Sequence, residues 1–325
     1  MRTVVTGAAG HVGANLVRLL LERGHRVRAT VYNDTRGLDG LDGVERVEVD
    51  VLNPDSLAEA FRAADVVFHL AAVIAIVGDR DRMQEVNVRG TRNVAQACLR
   101  SGVGRLIHFS SIHAFSHLPK AQPITEARGQ AVPGAMPYDL SKAAGERQVL
   151  EAVEQGLEAV ILNPTAILGP HDYKPSHMGQ VLLDLHRRKF PALVEGGFDW
   201  VDVRDVVGAA VRAAKVGRSG ERYLLSGRWA TFQELAEHVE EVTGVRAPRW
   251  VSPMWLARVG APFASTFNRL LGRRPLYTSS SLRALRCHKS VVSDKAREGL
   301  GYRPRPLSDT VRDTFAWFEE AGMLG

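Results

Sequence analysis

The sequence predicts a doubly wound α/β fold around a buried parallel sheet, and three observations carry that prediction. Short β-branched runs alternate with helix-period segments through the first half of the chain. Several runs are almost continuously apolar, as strands covered on both faces must be. The first run breaks straight into a glycine-spaced turn that opens a helix.

The elements follow in order. TVVTG (3–7) is a strand, and residues 11–22 carry apolar side chains at helical spacing, closed by Arg23-Gly24 as a C-cap. HRVRATVY (25–32) and VERVEVDV (44–51) are the next two strands. DSLAEAFRAA (55–64) is a helix with Asp55 as its N-cap, and DVVFHLAA (65–72) a fourth strand. RLIHFSS (105–111) and AVILNP (159–164) add two more. After Pro170 the rhythm loosens, and residues 171–200 mix histidine, proline, glycine and aromatics without a clean period. ERYLLSG (221–227) reads as a strand, TFQELAEHVEEVTG (231–244) as an amphipathic helix, and 249–276 as a mostly helical lid. The expected division is 1–168 for the sheet domain and 169–325 for a smaller, mostly helical domain, with 199–227 returning to the sheet.

Bulk properties set the limits. A chain of 325 residues with 45% hydrophobic and 24% charged residues has an ordinary globular composition and room for a sizeable core. Two cysteines make no disulfide framework, and the opening MRTVVTGAAG lacks the charged and apolar regions of a leader, so a cytoplasmic setting is expected. The net charge of +6 is scattered, which suits an anionic small ligand, and no nucleic-acid motif appears.

TGAAGHVG (6–13) places Gly7, Gly10 and Gly13 between a strand and a helix, with His11 and Val12 in the same turn. Glycines there let the backbone approach a pyrophosphate, whose charge sits at the helix N-terminus, so the sheet is expected to be a Rossmann-type dinucleotide binder. An acid at the end of the second strand would select NAD through the ribose hydroxyl. Here the strand ends Val31-Tyr32-Asn33, without that acid, and Asp34 beyond it is not ideally placed. Arg36 is near enough to meet a 2′-phosphate, Arg28 is a weaker candidate, and Asn33 can hydrogen-bond either ribose form. NADP(H) is therefore favoured over NAD(H).

MPYDLSKAAGE (136–146) sets Tyr138 and Lys142 one helical turn apart. An ammonium beside a phenol favours the phenolate, and such a pair can act as a general acid/base, with the phenol expected to fall from about 10 toward neutrality.

With the glycine turn, Asp50-Val51, HLAA (69–72), NVRGTRNV (87–94), FSSIHAF (109–115), the Tyr138/Lys142 pair and NPTAILGP (163–170), the chain resembles the extended short-chain dehydrogenase/reductases. The resemblance implies a Ser111–Tyr138–Lys142 catalytic group, with Asn87 shaping the active-site helix. It implies that Tyr32, Asp50 and Val51 meet the adenosine end of the cofactor. Leu70, Ala71 and Ala72 would meet its phosphates and ribose, and Pro164 and Thr165 its nicotinamide. It also implies a homodimer packed through helices at 83–101 and 138–155.

Within that family, GGFDWVDVRDVVGAAV (196–211) separates two branches. Nucleotide-sugar epimerases carry an arginine and a histidine where this chain has Phe198 and Asp202. An apolar ring cannot neutralise a diphosphate, unless Arg187, Arg188, Arg273 or Arg274 substitutes. The expected substrate is a fairly hydrophobic ketone or secondary alcohol, met by the loop 73–81, His113, Phe115, His171, Tyr173, His177, Phe198 and Trp200. His171 and His177 lack metal spacing, so no metal is expected. Trp250, Trp255 and Leu256, with basic neighbours, give 249–276 a second reading as a membrane-surface contact, against which Pro253 and Pro262 count by breaking the helix. Rival functions are a nucleotide-sugar epimerase/dehydratase holding NAD tightly and a non-catalytic NADP(H) redox sensor.

Overall fold

The structure, a computed structural model, describes residues 1–74, 80–119, 121–257, 285 and 289–324. The sheet begins with β1 (Arg2–Thr6), β2 (Arg26–Val31) and β3 (Val44–Glu48), continues with β4 (Val66–His69), β5 (Arg105–Phe109) and β6 (Ala159–Pro164), and later takes up β10 (Arg222–Leu225). The strand order is β3-β2-β1-β4-β5-β6-β10, every pair parallel. Successive residues point to opposite faces, so Val4, Val67, Leu106 and Ile161 enter one apolar layer while Val5, Phe68, Ile107 and Leu162 enter the other.

The first layer is covered by α2 (Pro54–Ala60), α4 (Thr91–Arg100) and α5 (Pro137–Glu154), through Leu57, Val94, Cys98 and Val149. The second is covered by α1 (His11–Glu22) and α7 (Val203–Val216), through Leu16, Leu20, Val206 and Ala210. It is completed from far along the chain: Ala296 and Leu300 of α9 (Asp294–Leu300) and Tyr302 belong to the same cluster. The Tyr302 hydroxyl donates to the Ser226 carbonyl at 2.9 Å.

Between β4 and α4 lie α3 (Arg80–Gln84) and a wider π turn at Glu85–Gly90. A smaller sheet pairs β7 (Ala166–Leu168) with β9 (Gly197–Asp202) and β11 (Arg228–Thr231). Against it pack α6 (His177–His186), α8 (Phe232–Thr243) and α10 (Leu307–Glu320), burying Leu182, Leu235, Phe315 and Phe318. Short β8 (Leu193–Val194) pairs with β12 (Val251–Ser252).

Two local expectations are corrected. Asn53, not Asp55, caps α2: its Oδ1 accepts from the amides of Asp55 and Ser56, because Pro54 takes the first helical position and sets the cap two residues earlier. The stretch 171–200 is more ordered than its composition promises, since Ser176 caps α6 by accepting from the Gly179 amide at 3.1 Å. Of the expected lid at 249–276, β12 and a helical turn at 254–257 are described, while 258–284 and the membrane-contact reading that depends on it lie outside the described residues. Among the described residues no helix is long and apolar enough to cross a membrane.

Candidate active site

In a doubly wound sheet, ligands bind beyond the carboxyl ends of the strands where the strand order reverses, here between β1 and β4. A cavity of about 700 Å³ opens at that point, within the roughly 300–1,000 Å³ range of small-molecule sites.

Its floor is the glycine turn. Gly7 has φ +67°, and a Cβ there would stand 2.7 Å from the Ala71 amide nitrogen; a Cβ on Gly13 would stand 2.3 Å from the Gly7 carbonyl. Only glycine permits this closeness. Helix α1 starts at Gly10 with no side-chain cap and no acid in its first turn, so its leading N–H groups stay open to an anion. Gly7, Gly10, His11, Val12 and Gly13 all line the cavity, and this donor set fits a dinucleotide pyrophosphate. Leu70, Ala71 and Ala72 line the opposite wall, fixed by the Thr6 hydroxyl, which accepts from the amides of Leu70 and Ala71 at 3.2 and 3.3 Å.

At the far end of the turn, Tyr32, Asp50 and Val51 line the cavity. So does Asp34, against the expectation that it stands too far along. Asn33 adopts φ 62°, and the chain folds back so that the Asp34 amide donates to the Tyr32 carbonyl at 2.9 Å. Asn33 and Arg36 lie off the cavity lining. The Arg36 guanidinium grips Asp34 through Nε at 3.0 Å and Nη2 at 2.7 Å, holding that carboxyl down at about 2. Arg28 is drawn away to Glu45 at 3.0 Å and the Ala60 carbonyl at 2.7 Å.

Opposite the turn, α5 and the end of β5 bring Ser111, Tyr138 and Lys142 to one wall. The buried Lys142 ammonium donates to the Phe109 carbonyl at 2.9 Å, and burial lowers it to about 8, against the pull of Glu146. The phenol does not fall as expected. Burial pushes Tyr138 up to about 12, outweighing a hydrogen bond with Ser111 that favours its ionisation, while Asp139 adds to the rise. Tyr138 therefore stands neutral. Asn87 lies off the cavity: its Oδ1 accepts from the Val73 amide at 2.8 Å, and its Nδ2 donates to the Val73 carbonyl and to Ser141 Oγ at 2.9 and 3.0 Å. It ties the wall after β4 to α5, a positioning role.

Pro164 and Thr165 line the cavity, as does Asp199, which sequence reasoning passed over. One Asp199 oxygen accepts from Thr165 Oγ1 and from the Gly227 amide, each at 2.7 Å, while burial raises the carboxyl to about 6. A lone acid between aromatics on a strand gave the only signal. Ser110, Asp172, Lys174, Ser176 and Met178 also line the cavity without having been singled out.

Of the expected substrate contacts, His113, His177 and Phe198 line the cavity, and His113 meets the Tyr138 ring edge at 5.5 Å. Phe115 is fully buried in a separate cluster, and residues 75–79 of the loop 73–81 lie outside the described residues. Trp200, His171 and Tyr173 do not line the cavity. Trp200 turns into the core behind Phe198, its indole donating to the Ala230 carbonyl at 3.2 Å. Tyr173 accepts a hydrogen bond from Arg18 at 2.7 Å and stacks with His171. Among the described residues His171 and His177 join no group of three metal-capable donors, but another donor set does meet. His113 Nδ1 and His117 Nε2 bond the two oxygens of buried Asp139 at 2.9 and 2.8 Å, which holds that carboxyl well below its usual range.

If the charged Lys142 supports turnover, kcat/KM for ketone reduction should be flat at neutral pH and fall above about pH 8, where the ammonium is lost. A pH–rate profile that stays level through about pH 9 to 10 would sink this assignment.

Fold and site together define a dinucleotide-binding type of protein with a serine, a tyrosine and a lysine on one wall of its cavity. Residues 3–226 match the profile of the NAD dependent epimerase/dehydratase family, and the chain belongs to that family. It is 37% identical to sterol demethylase protein B of Methylococcus capsulatus, across the full length of both chains. It is 31% identical to a putative dihydroflavonol 4-reductase of Synechocystis, covering 98% of this chain and 95% of that one. The crystal structure of gox2253 superposes with a TM-score of 0.86 at 36% identity, over 99% of each chain. A nicotinamide cofactor is thus part of the chemistry.

Proposed function

We propose that the protein is an NADP(H)-preferring oxidoreductase that interconverts a fairly hydrophobic ketone and the corresponding secondary alcohol. The observation that carries the substrate class is Phe198 on the cavity wall, at the position where a nucleotide-sugar enzyme of this family needs an arginine. Of the arginines weighed as substitutes, Arg187 and Arg188 do not line the cavity, and Arg187 donates to the Met323 carbonyl, while Arg273 and Arg274 lie outside the described residues. Of the lining cations other than Lys142, Arg82 is paired with Glu85 at 3.3 Å and Lys174 belongs to the Asp34 end. The names of the two relatives refer to a sterol and a dihydroflavonol, both multi-ring molecules.

When bound, the nicotinamide gives or takes the hydride. Tyr138 donates a proton to the carbonyl oxygen in reduction and takes it back in oxidation, and Ser111 donates a hydrogen bond to the same oxygen, so developing charge meets fixed donors. Lys142, anchored on the Phe109 carbonyl, places its positive charge on the same wall and favours the phenolate left behind. Pro164 and Thr165 border the reacting ring, with Asp199 fixing the Thr165 hydroxyl. We assign the chain to a homodimer through α4 and α5 on the strength of the family resemblance.

The test is a panel of hydrophobic cyclic and aromatic ketones incubated with NADPH, following loss of reduced nicotinamide. Substrate-dependent oxidation supports the reading. No redox change with any ketone, together with isomerisation of a nucleotide sugar, overturns it in favour of an epimerase.

A further inference from the structure

The loop after β7 does not approach the reacting end of the cavity first. It is laid along one face of α1, where His11, Asn15 and Arg18 stand at helical spacing. His11 Nε2 lies 3.2 Å from the carbonyls of Gly169 and Pro170, and Asn15 Nδ2 donates to the Pro170 carbonyl at 2.8 Å. Arg18 then bridges two segments. One nitrogen donates to the Tyr173 hydroxyl at 2.7 Å, and the other to the Gly37 carbonyl at 2.8 Å. Tyr173 is thereby moored beside the turn that carries Asp34 and Arg36. On its other side the loop is fixed by buried Asp172, whose carboxylate accepts from the Ser176 amide at 3.0 and 2.8 Å.

Lys174 sits between these two anchors. It lines the same cavity as Asp34 and Tyr32 and is close enough to help stabilise the Asp34 carboxylate. Asp34 itself is already occupied by Arg36 on both oxygens. Among the described residues no carboxylate lies within ion-pair distance of Lys174. The corner thus holds one neutralised pair and one further cation, next to the end of β2, where the adenosine ribose of a dinucleotide rests.

We propose that Lys174 completes a two-cation subsite with Arg36 for a phosphate on the 2′ position of the adenosine ribose, so that cofactor choice is shared between the turn after β2 and the loop after β7. The chemistry is complementary: Arg36 holds Asp34 through Nε and Nη2 and keeps Nη1 outside that pair, and the Lys174 ammonium adds a movable point charge toward a dianion. The proposal rests on the NADP(H) reading above and names the residue that would enforce it.

The test is calorimetric binding of adenosine 2′,5′-bisphosphate and of AMP to the full chain, which needs neither substrate nor turnover. The wild type should bind the bisphosphate more tightly than AMP. Lys174→Ala should weaken the bisphosphate by about tenfold, as loss of a charge-assisted contact does, and AMP by less than about twofold. Arg36→Ala should act in the same direction, and Lys174→Arg should retain most of the preference. Equal loss for both nucleotides in Lys174→Ala, or no loss, overturns the subsite while leaving the oxidoreductase reading in place. A wild type indifferent to the 2′-phosphate overturns both the subsite and the NADP(H) preference, and one that binds neither nucleotide removes the dinucleotide function as well.

Discussion

Tyr138→Phe is expected to lower kcat by about 10²–10⁴ while leaving NADPH affinity within about twofold of the wild type. The change removes only the hydroxyl from a ring that sits at the cavity wall beside His113 and shares a hydrogen bond with Ser111. Burial holds that hydroxyl protonated, and it is the group to which the proton transfer is assigned. Ser111 retains its hydrogen bond to the reacting oxygen, and this accounts for residual turnover. Fluorescence titration separates the two effects, since five tryptophans provide a quenching signal. Undiminished kcat would remove Tyr138 from the mechanism, whereas equal loss of NADPH binding would make its role one of binding.

Gly13→Ala should weaken dinucleotide binding by about 100-fold, equivalent to about 2.7 kcal/mol. The added methyl would lie 2.3 Å from the Gly7 carbonyl oxygen and 2.7 Å from both Cα and O of Ala8. All three are backbone atoms, so no rotamer relieves the contact, and the turn or the start of α1 must shift. Either movement takes the helix N–H groups off the pyrophosphate position. Gly208 supplies the control: it lies in α7, and a methyl added there would have nothing within 4 Å. Gly208→Ala should therefore be neutral or stabilising by up to about 1 kcal/mol. Cofactor affinity unchanged in Gly13→Ala would show that the turn tolerates expansion and does not depend on glycine there.

Much of the fold was legible because the parallel strands are buried on both faces and read as unbroken apolar runs, as in DVVFHLAA and AVILNP. Elements of the second half were harder. Helix α6 begins in a segment of histidine, proline and glycine and owes its start to one serine cap, while β9 carries acids and two aromatics that mimic a loop. The meeting of Ser111, Tyr138 and Lys142 on one wall was legible from order and spacing, but their electrostatics were not. A lysine one turn away implied a depressed phenol, and only the enclosure of that phenol decided the sign. Tyr173, His171 and Trp200 show the same limit. Aromatic type marked them for a ligand, while their hydroxyl, ring faces and indole were already taken up by Arg18, by each other and by Ala230. Asp199 and Lys174 escaped notice because a single charge in a loop or strand carries no periodic signal, and only the topology brings them to the cavity.

The apolar layer behind the glycine turn joins residues from both ends of the chain, with Val5 and Leu16 in one cluster with Leu225, Leu300 and Tyr302. On the ribosome the chain emerges from its N-terminus, so the turn and first helix appear long before the segments that close this layer. Strand β10 must still add to the edge of β6, and α9 must still settle beside it. Until α9 is free of the exit tunnel, the part of this layer that Ala296 and Leu300 fill stays uncovered. A chain stopped before α9 lacks Ala296, Leu300 and Tyr302 from this layer, and transiently exposed apolar surface of that kind is what makes incomplete chains aggregation-prone.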